Sequence, residues 1–307
     1  MAFHVGYMGY AKVGTTVVKI TGSSLNPAQT INAPDLVQGE YNKRAWNFGP
    51  VETGGNITGP CGDSTTVALA TEAWDRDNTV GDKMANTVDV EIYFYKVTGS
   101  NSGRKFAGCN INSYALSVTA GDVATFTADF FGLDVTAVTS SALSTAEFVA
   151  CEKLITWDKC SVAATIAGIT DFESQIQGWS LNINNNLKRI YNIGQKSSVP
   201  AIDGKLFPVE ILAGIRDVTG TITLYADTGN NALLTKLAAT PWFGADAFDD
   251  YNTTTKTQFT FTVGSSISIP LYCTFQRAEM NAMTDTMTYT LNFTGLCNDY
   301  TTIITES

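Results

Sequence analysis

The 307-residue chain is 44% hydrophobic, which is typical of a globular protein with a sizeable core and excludes a disordered chain. Its formal net charge of −10, without a cluster of Lys and Arg, argues against tight binding to a nucleic acid backbone. Only 16% of the residues are charged, which fits either a surface covered by neighbouring copies or a polar β protein rich in Thr, Ser and Asn.

The beginning of the chain predicts an extended region with one long loop. Residues 1–14 contain no apolar run of the length that a signal peptide or a membrane span requires. The segment Asn26–Tyr41 contains Pro27, Pro34 and Gly39 and has little periodicity. It is therefore predicted to be a loop, which at that length is either functional or a surface insertion.

Strands with one helix in each half are predicted for the rest of the chain. Asp63 or Ser64 is a suitable cap for a helix that runs to Trp74, and Ala232–Ala239 has the composition of a second helix, which Pro241 ends. Alternating β-branched and aromatic residues predict strands at Thr87–Tyr95, Val123–Phe130, Val218–Tyr225 and Met287–Phe293. The expected fold is mainly β, a β-sandwich or curled antiparallel sheet with one flanking helix.

Five short segments recur in the same order in the two halves of the chain. The pairs are Ile20–Asn26 with Ile176–Asn182, Lys43–Gly49 with Lys188–Gly194, Pro50–Glu52 with Pro208–Glu210, Thr58–Gly59 with Thr219–Gly220, and Asp129–Leu133 with Asn292–Leu296. Each pair is weak by itself, but chance would not keep five of them collinear. We therefore predict a tandem duplication, with one copy at 1–145 and the other at 146–307.

Three stretches of the chain resemble the tail tube proteins of long-tailed bacteriophages. They are Ile111–Gly132, Trp179–Leu187 followed by Gly194, and Val218–Tyr225. The resemblance implies a β-sandwich with a flanking helix and long loops, in which six domains close into a ring. Stacked rings of this kind form the channel through which the genome passes, so a structural role in the virion tail is expected, with assembly in the host cytoplasm.

A duplicated chain departs from the commonest pattern of that family, which has one domain per subunit. Three chains would then complete a pseudo-sixfold ring, and a true hexamer with the second domain outside is the alternative. The resemblance also implies other tail proteins as partners, namely a tape measure protein, a tail tip or baseplate and, in a contractile tail, a sheath. DNA is expected to pass through an acidic lumen without specific binding, and no membrane binding is expected.

Two groups of residues are candidates for contacts between subunits. The first contains the basic pairs and nearby aromatic residues that occupy similar places in both halves: Lys43, Arg44, Trp46, Lys188, Arg189 and Tyr191. We expect its basic residues to bind acidic side chains on an adjacent subunit. The second is a candidate arm toward the next ring, within the predicted loop: Asn26, Pro27, Pro34, Asp35, Gly39 and Tyr41. The alternatives are a solvated charge pair for the first group and a surface insertion for the second.

No catalytic, cofactor or metal site is predicted. His4 is the single histidine, so a Ser or Cys nucleophile has no histidine other than His4 that could serve as its base. The six cysteines lack CxxC spacing, and buried free thiols are expected. Other phage tail components, such as a terminator, hub or decoration protein, remain the alternative function, ahead of a carbohydrate-binding β-sandwich.

Overall fold

The computed structural model describes residues 10–32, 47–74, 84, 86–94, 101–140, 153–164, 173–192, 206–225, 258–265, 267–275, 279–282 and 287–296. These residues form one helix, two 3-10 turns and eighteen strands. The prediction of a mainly β fold is confirmed.

The first half contains nine strands and the helix α1. They follow one another as β1 (Tyr10–Val13), β2 (Thr16–Val18), β3 (Gly22–Ser23), β4 (Asn26–Asn32), β5 (Asn47–Pro60), α1 (Asp63–Trp74), β6 (Val88–Phe94), β7 (Asn101–Thr119), β8 (Thr125–Gly132) and β9 (Asp134–Ser140). In β8 the buried residues Phe126, Ala128 and Phe130 alternate with more exposed ones, as expected for a strand with one face on the core.

The second half contains nine further strands. After a 3-10 turn at Trp157–Lys159 come β10 (Cys160–Ala164), a 3-10 turn at Glu173–Gln175, β11 (Ile176–Asn184), β12 (Lys188–Ile190), β13 (Glu210–Leu212), β14 (Asp217–Tyr225), β15 (Gln258–Val263), β16 (Ile267–Phe275), β17 (Glu279–Ala282) and β18 (Met287–Leu296). The helix predicted at Ala232–Ala239 lies outside the described residues.

The prediction of a loop at Asn26–Tyr41 is wrong for the first part of that segment. Residues 26–32 form β4, which pairs with β5. Pro27 lies opposite Thr53 in this ladder. A strand at the edge of a sheet tolerates a proline, because one side of its backbone needs no hydrogen-bond donor. Five of the residues 23–29 are exposed, so this segment lacks the apolar alternation that indicates a strand.

The sheet has the same strand order in both halves, and all its ladders are antiparallel. From β3 and β4 the first half continues as β5, β8, β7, β6 and β1. From β11 the second half continues as β14, β18, β16, β15 and β10, with β17 also paired to β18.

The core is one cluster of buried side chains to which both halves contribute. The ring of Phe261 packs between those of Trp179 and Phe293, with ring centroids 5.3 and 5.2 Å apart. Cys109 and Cys273 lie buried in the same cluster as free thiols, and burial raises the pKa of each to about 12. Cys61 and Cys160, also among the described cysteines, likewise form no disulfide.

Candidate assembly interface

The two halves are joined edge to edge by the ladder between β7 and β11. It runs from Thr119 opposite Gly178 to Ser113 opposite Asn184. The opposite edge of the same part of β7 pairs with β8, so the sheet of the first half continues without a break into that of the second. Through this ladder, the first half of the chain binds the second half of the same chain.

A buried asparagine fixes the end of this ladder. Asn185 follows β11 directly and has no exposed surface. Its Nδ2 donates to the backbone carbonyl oxygens of Ala73, at 2.8 Å, and Ile111, at 2.9 Å. Its Oδ1 accepts a hydrogen bond from Nε of Arg216 at 2.9 Å. The side chain therefore ties α1 and β7 of the first half to the second half.

Arg216 completes the contact at the last turn of α1. Its Nη2 donates to the backbone carbonyl oxygen of Trp74 at 2.7 Å, and its guanidinium lies 4.8 Å from the centroid of the Trp74 ring. The last carbonyl groups of a helix have no partner within the helix, and a positive charge is favourable there. The second half thus supplies a cap to the helix of the first half.

Arg189 holds the hairpin of β12 and β13 against the first half. Its Nη2 donates to the Thr53 carbonyl oxygen at 2.9 Å, its guanidinium lies 3.7 Å from the ring centroid of Phe131, and its Nη1 is 3.8 Å from Oε2 of Glu52. The Arg189 side chain is only 14% exposed. Nearby, Tyr191 donates from its hydroxyl to the Val51 carbonyl oxygen at 3.3 Å.

An acidic side chain of the same chain, Glu52, lies near Arg189, and the two residues belong to different halves. The predicted contact of Arg189 with an adjacent subunit stays a prediction. Lys188 is exposed and Tyr191 is half-buried. Of the other candidates, Lys43, Arg44, Trp46, Pro34, Asp35, Gly39 and Tyr41 lie outside the described residues.

The two described members of the candidate arm lie in β4. Asn26 accepts a hydrogen bond at Oδ1 from Nη1 of Arg104, in β7, and Pro27 stands beside it in the ladder with β5. Both lie opposite the part of β5 that Arg189 contacts, since Pro27 is opposite Thr53, whose carbonyl oxygen accepts from Arg189.

The sequence analysis missed Asn185, Arg216 and Asn112. Asn112 accepts at Oδ1 from the Leu187 N–H, at 2.9 Å, and donates from Nδ2 to Oδ2 of Asp129, at 3.0 Å. The available signal was the run of three asparagines at 184–186, directly after a strand with regular alternation. Such a run predicts a turn, but nothing in it identifies partners more than 70 positions away.

Several strands have a partner on one side only within the described part of the chain, and two of them bear on assembly. β3 pairs only with β5, and β17 pairs only with β18. Around β3, the side chains of Ser23, Ser24 and Asn26 are exposed. Unpaired edges of this kind are able to accept another strand.

The described residues contain neither of two other kinds of site. No group of three or more His, Cys, Asp or Glu side chains among them is placed to hold a metal ion. No helix in the described ranges has both the length and the apolar character needed to cross a membrane.

The described part of the chain is thus an antiparallel β protein whose two halves are joined by strand pairing and by side-chain hydrogen bonds. The family model described as phage tail tube protein matches residues 5–295. The chain therefore belongs to the phage tail tube protein family and is a structural component of the phage tail. A comparison with curated proteins found no match.

Proposed function

We propose that this chain is the repeating subunit of the tail tube, and that its rings stack into the channel for genome ejection. The observation that carries the proposal, beside the family itself, is that one half of the chain already binds the other edge to edge through β7 and β11. A ring in which every half binds the next in this way leaves no free strand edge at the joins between its domains.

A tandem duplication is supported by the registers of the ladders. The first pair of similar segments equates Gly22 with Gly178. Gly22 lies opposite Thr58, and Gly178 lies opposite Thr223, so the two threonines become equivalent. Identical residues thus occupy equivalent places in two neighbouring strands.

The next ladder extends this equivalence. Thr58 lies opposite Thr127, and Thr223 lies opposite Thr290. Thr127 and Thr290 are 163 positions apart, the separation that the last pair of similar segments shows independently. This agreement between registers and sequence supports two copies of one domain, near 1–145 and 146–307.

Two such domains in each chain favour three chains in a ring of six domains. We infer that the tube assembles in the host cytoplasm and contacts the tape measure protein and the tail tip or baseplate. The net charge of −10 favours a lumen that repels DNA and so lets it slide. A lumen lined mainly by Lys and Arg would contradict this part of the proposal.

Electron microscopy of the purified chain, together with its mass in solution, tests the proposal. We expect tubes of stacked rings with three chains in each ring. Six chains per ring would contradict the placement of both domains in the ring. Discrete single rings would favour a terminator, hub or decoration protein. A chain that stays monomeric even with tail tip components added would contradict the tube.

A further inference from the structure

We infer that neighbouring chains in a ring are joined by an antiparallel ladder between residues 279–282 of one copy and residues 23–26 of the next. The inference rests on the proposed function and specifies which strand edges join the subunits. Its template is the ladder that β7 and β11 form within the chain.

The template shows that the central strand of a domain has two different neighbours. Ala115 of β7 lies opposite Thr127 of β8 on one edge and opposite Asn182 of β11 on the other. β8 belongs to the same half as β7, whereas β11 is the first strand of the next half. The second edge of this strand is thus the place where one domain accepts the next.

The equivalence of the two halves transfers this arrangement to the end of the second domain. Thr290 takes the place of Thr127, and Glu279 of β17 lies opposite Thr290 as Ala115 lies opposite Thr127. Glu279 therefore corresponds to Ala115. Its second neighbour has to be the residue that corresponds to Asn182, which is Asn26.

Asn26 of the same chain does not fill that place, since β3 and β4 pair with β5 in the described structure and β17 pairs with β18. The next copy of the chain can fill it. Within the described residues, neither β3 nor β17 has a second strand partner. Ser23, Ser24 and Asn26 are exposed in the single chain, whereas Trp179, which corresponds to Ser23, is buried beside β7.

The register of the inferred ladder follows from the template. The facing residues are Ser23 with Ala282, Ser24 with Asn281, Leu25 with Met280 and Asn26 with Glu279. No pair brings like charges together, which would destabilise a ladder. Leu25 opposite Met280 corresponds to Leu181 opposite Leu116 in the template. Pro27 has no N–H to donate, so the ladder ends at Asn26.

Cysteine cross-linking tests the register. Facing residues of an antiparallel pair have Cβ atoms about 4.5–5.5 Å apart, so oxidation of assembled Ser23→Cys/Ala282→Cys rings is expected to link neighbouring chains. Denaturing gels then show covalent dimers and closed trimers. The control Lys19→Cys/Ala282→Cys places one thiol four residues earlier in the chain, outside β3, and is expected to match the wild-type background.

Electron microscopy of the same samples separates the two proposals. If rings form but Ser23→Cys/Ala282→Cys links no more than the control, the ladder is wrong while the tube subunit stands. If the wild-type chain forms no rings even with tail tip components added, the proposed function fails, and the ladder fails with it.

Hydrogen exchange on the wild-type chain gives a second measurement that needs no variant. The backbone amides of residues 23–26 and 279–282 are expected to exchange more slowly in tubes than in the free chain, because the ladder buries them. Unchanged exchange in both segments within well-formed tubes would overturn the inference.

Discussion

Arg189 combines three kinds of contact in one side chain. A hydrogen bond reaches a backbone carbonyl group of β5, an aromatic ring of β8 lies under the guanidinium, and a carboxylate of β5 lies nearby. The planar guanidinium suits such a site better than an ammonium group does, because it can stack and donate at the same time. Most of the stabilisation comes from the buried contacts, since the Glu52 side chain is 62% exposed and its attraction is screened by water.

Replacing Arg189 is expected to destabilise the free chain. We expect Arg189→Ala to lower the free energy of unfolding by about 1–3 kcal/mol, because it leaves the Thr53 carbonyl group unpaired and removes the cation over Phe131. Urea denaturation measures this. The control is the neighbouring exposed residue Lys188, and Lys188→Ala is expected to change the free energy of unfolding by less than about 0.5 kcal/mol. Equal effects of the two changes would contradict the assigned role.

The importance of single residues was the hardest property to predict from the sequence. Arg189 was identified as a contact residue, but its partner was assigned to another subunit. Asn185 was not identified, because its partners Ala73 and Ile111 lie 112 and 74 positions away. Only the folded chain brings these carbonyl groups to one place, so no local pattern marks the asparagine that binds them.

At the scale of elements, β5 contains two glycines that allow close strand packing. Gly54 has φ of 143°, and a Cβ atom there would lie 2.0 Å from the carbonyl oxygen of Phe130 in β8. Gly55 has φ of 130°, and its Cβ would lie 2.6 Å from the carbonyl oxygen of Ser24. β5 thus needs glycine both for its backbone conformation and for the space between its neighbours.

A pair of glycine variants separates these two requirements. Gly121 also has positive φ, 92°, but a Cβ there would meet nothing within 4 Å. We expect Gly121→Ala to cost about 1 kcal/mol for conformation alone. Gly54→Ala is expected to cost more, about 2–4 kcal/mol, because a backbone group must also shift. Thermal unfolding of both variants measures the difference, and similar melting temperatures would disprove the close approach.

Five of the nineteen helices and strands in the described part of the chain could be predicted from the sequence, but their registers could not. Alternation and capping located α1, β6, β8, β14 and β18. The proposed pairing of Thr58–Gly59 with Thr219–Gly220 is not the one that the ladders give, because they equate Gly55 with Gly220. A match of two residues is compatible with several registers, whereas backbone hydrogen bonds across two ladders allow one.

At the scale of the whole molecule, the two halves repeat a strand order and yet share one core. Three contacts connect one half to the other: the ladder between β7 and β11, the hydrogen bond of Arg216 at the end of α1, and the hydrogen bond of Arg189 to Thr53. The similar sequence segments predicted the repetition. They could not predict the shared core. A strand whose face is buried against the other half shows the same alternation of apolar residues as one buried within its own half.

The full chain is expected to unfold in one cooperative transition. Scanning calorimetry of the free chain should give one peak, with a calorimetric enthalpy equal to the van't Hoff enthalpy. Asn185→Ala should shift that whole peak to lower temperature, because three buried groups lose their partner. The exposed residue Asn192 provides the control Asn192→Ala, which should leave the peak in place. Two separate peaks would show that the halves unfold independently.

The ladder between β7 and β11 also affects the order of events during synthesis. Between Thr119, where β7 ends, and Ile176, where β11 begins, the ribosome adds 56 residues. At about 5–20 residues per second, this takes about 3–11 s. During that interval the edge of β7 that will bind β11 has no partner in its own chain. Neighbouring nascent chains on one messenger expose the same edge, so dense translation of this protein favours premature pairing between polypeptides.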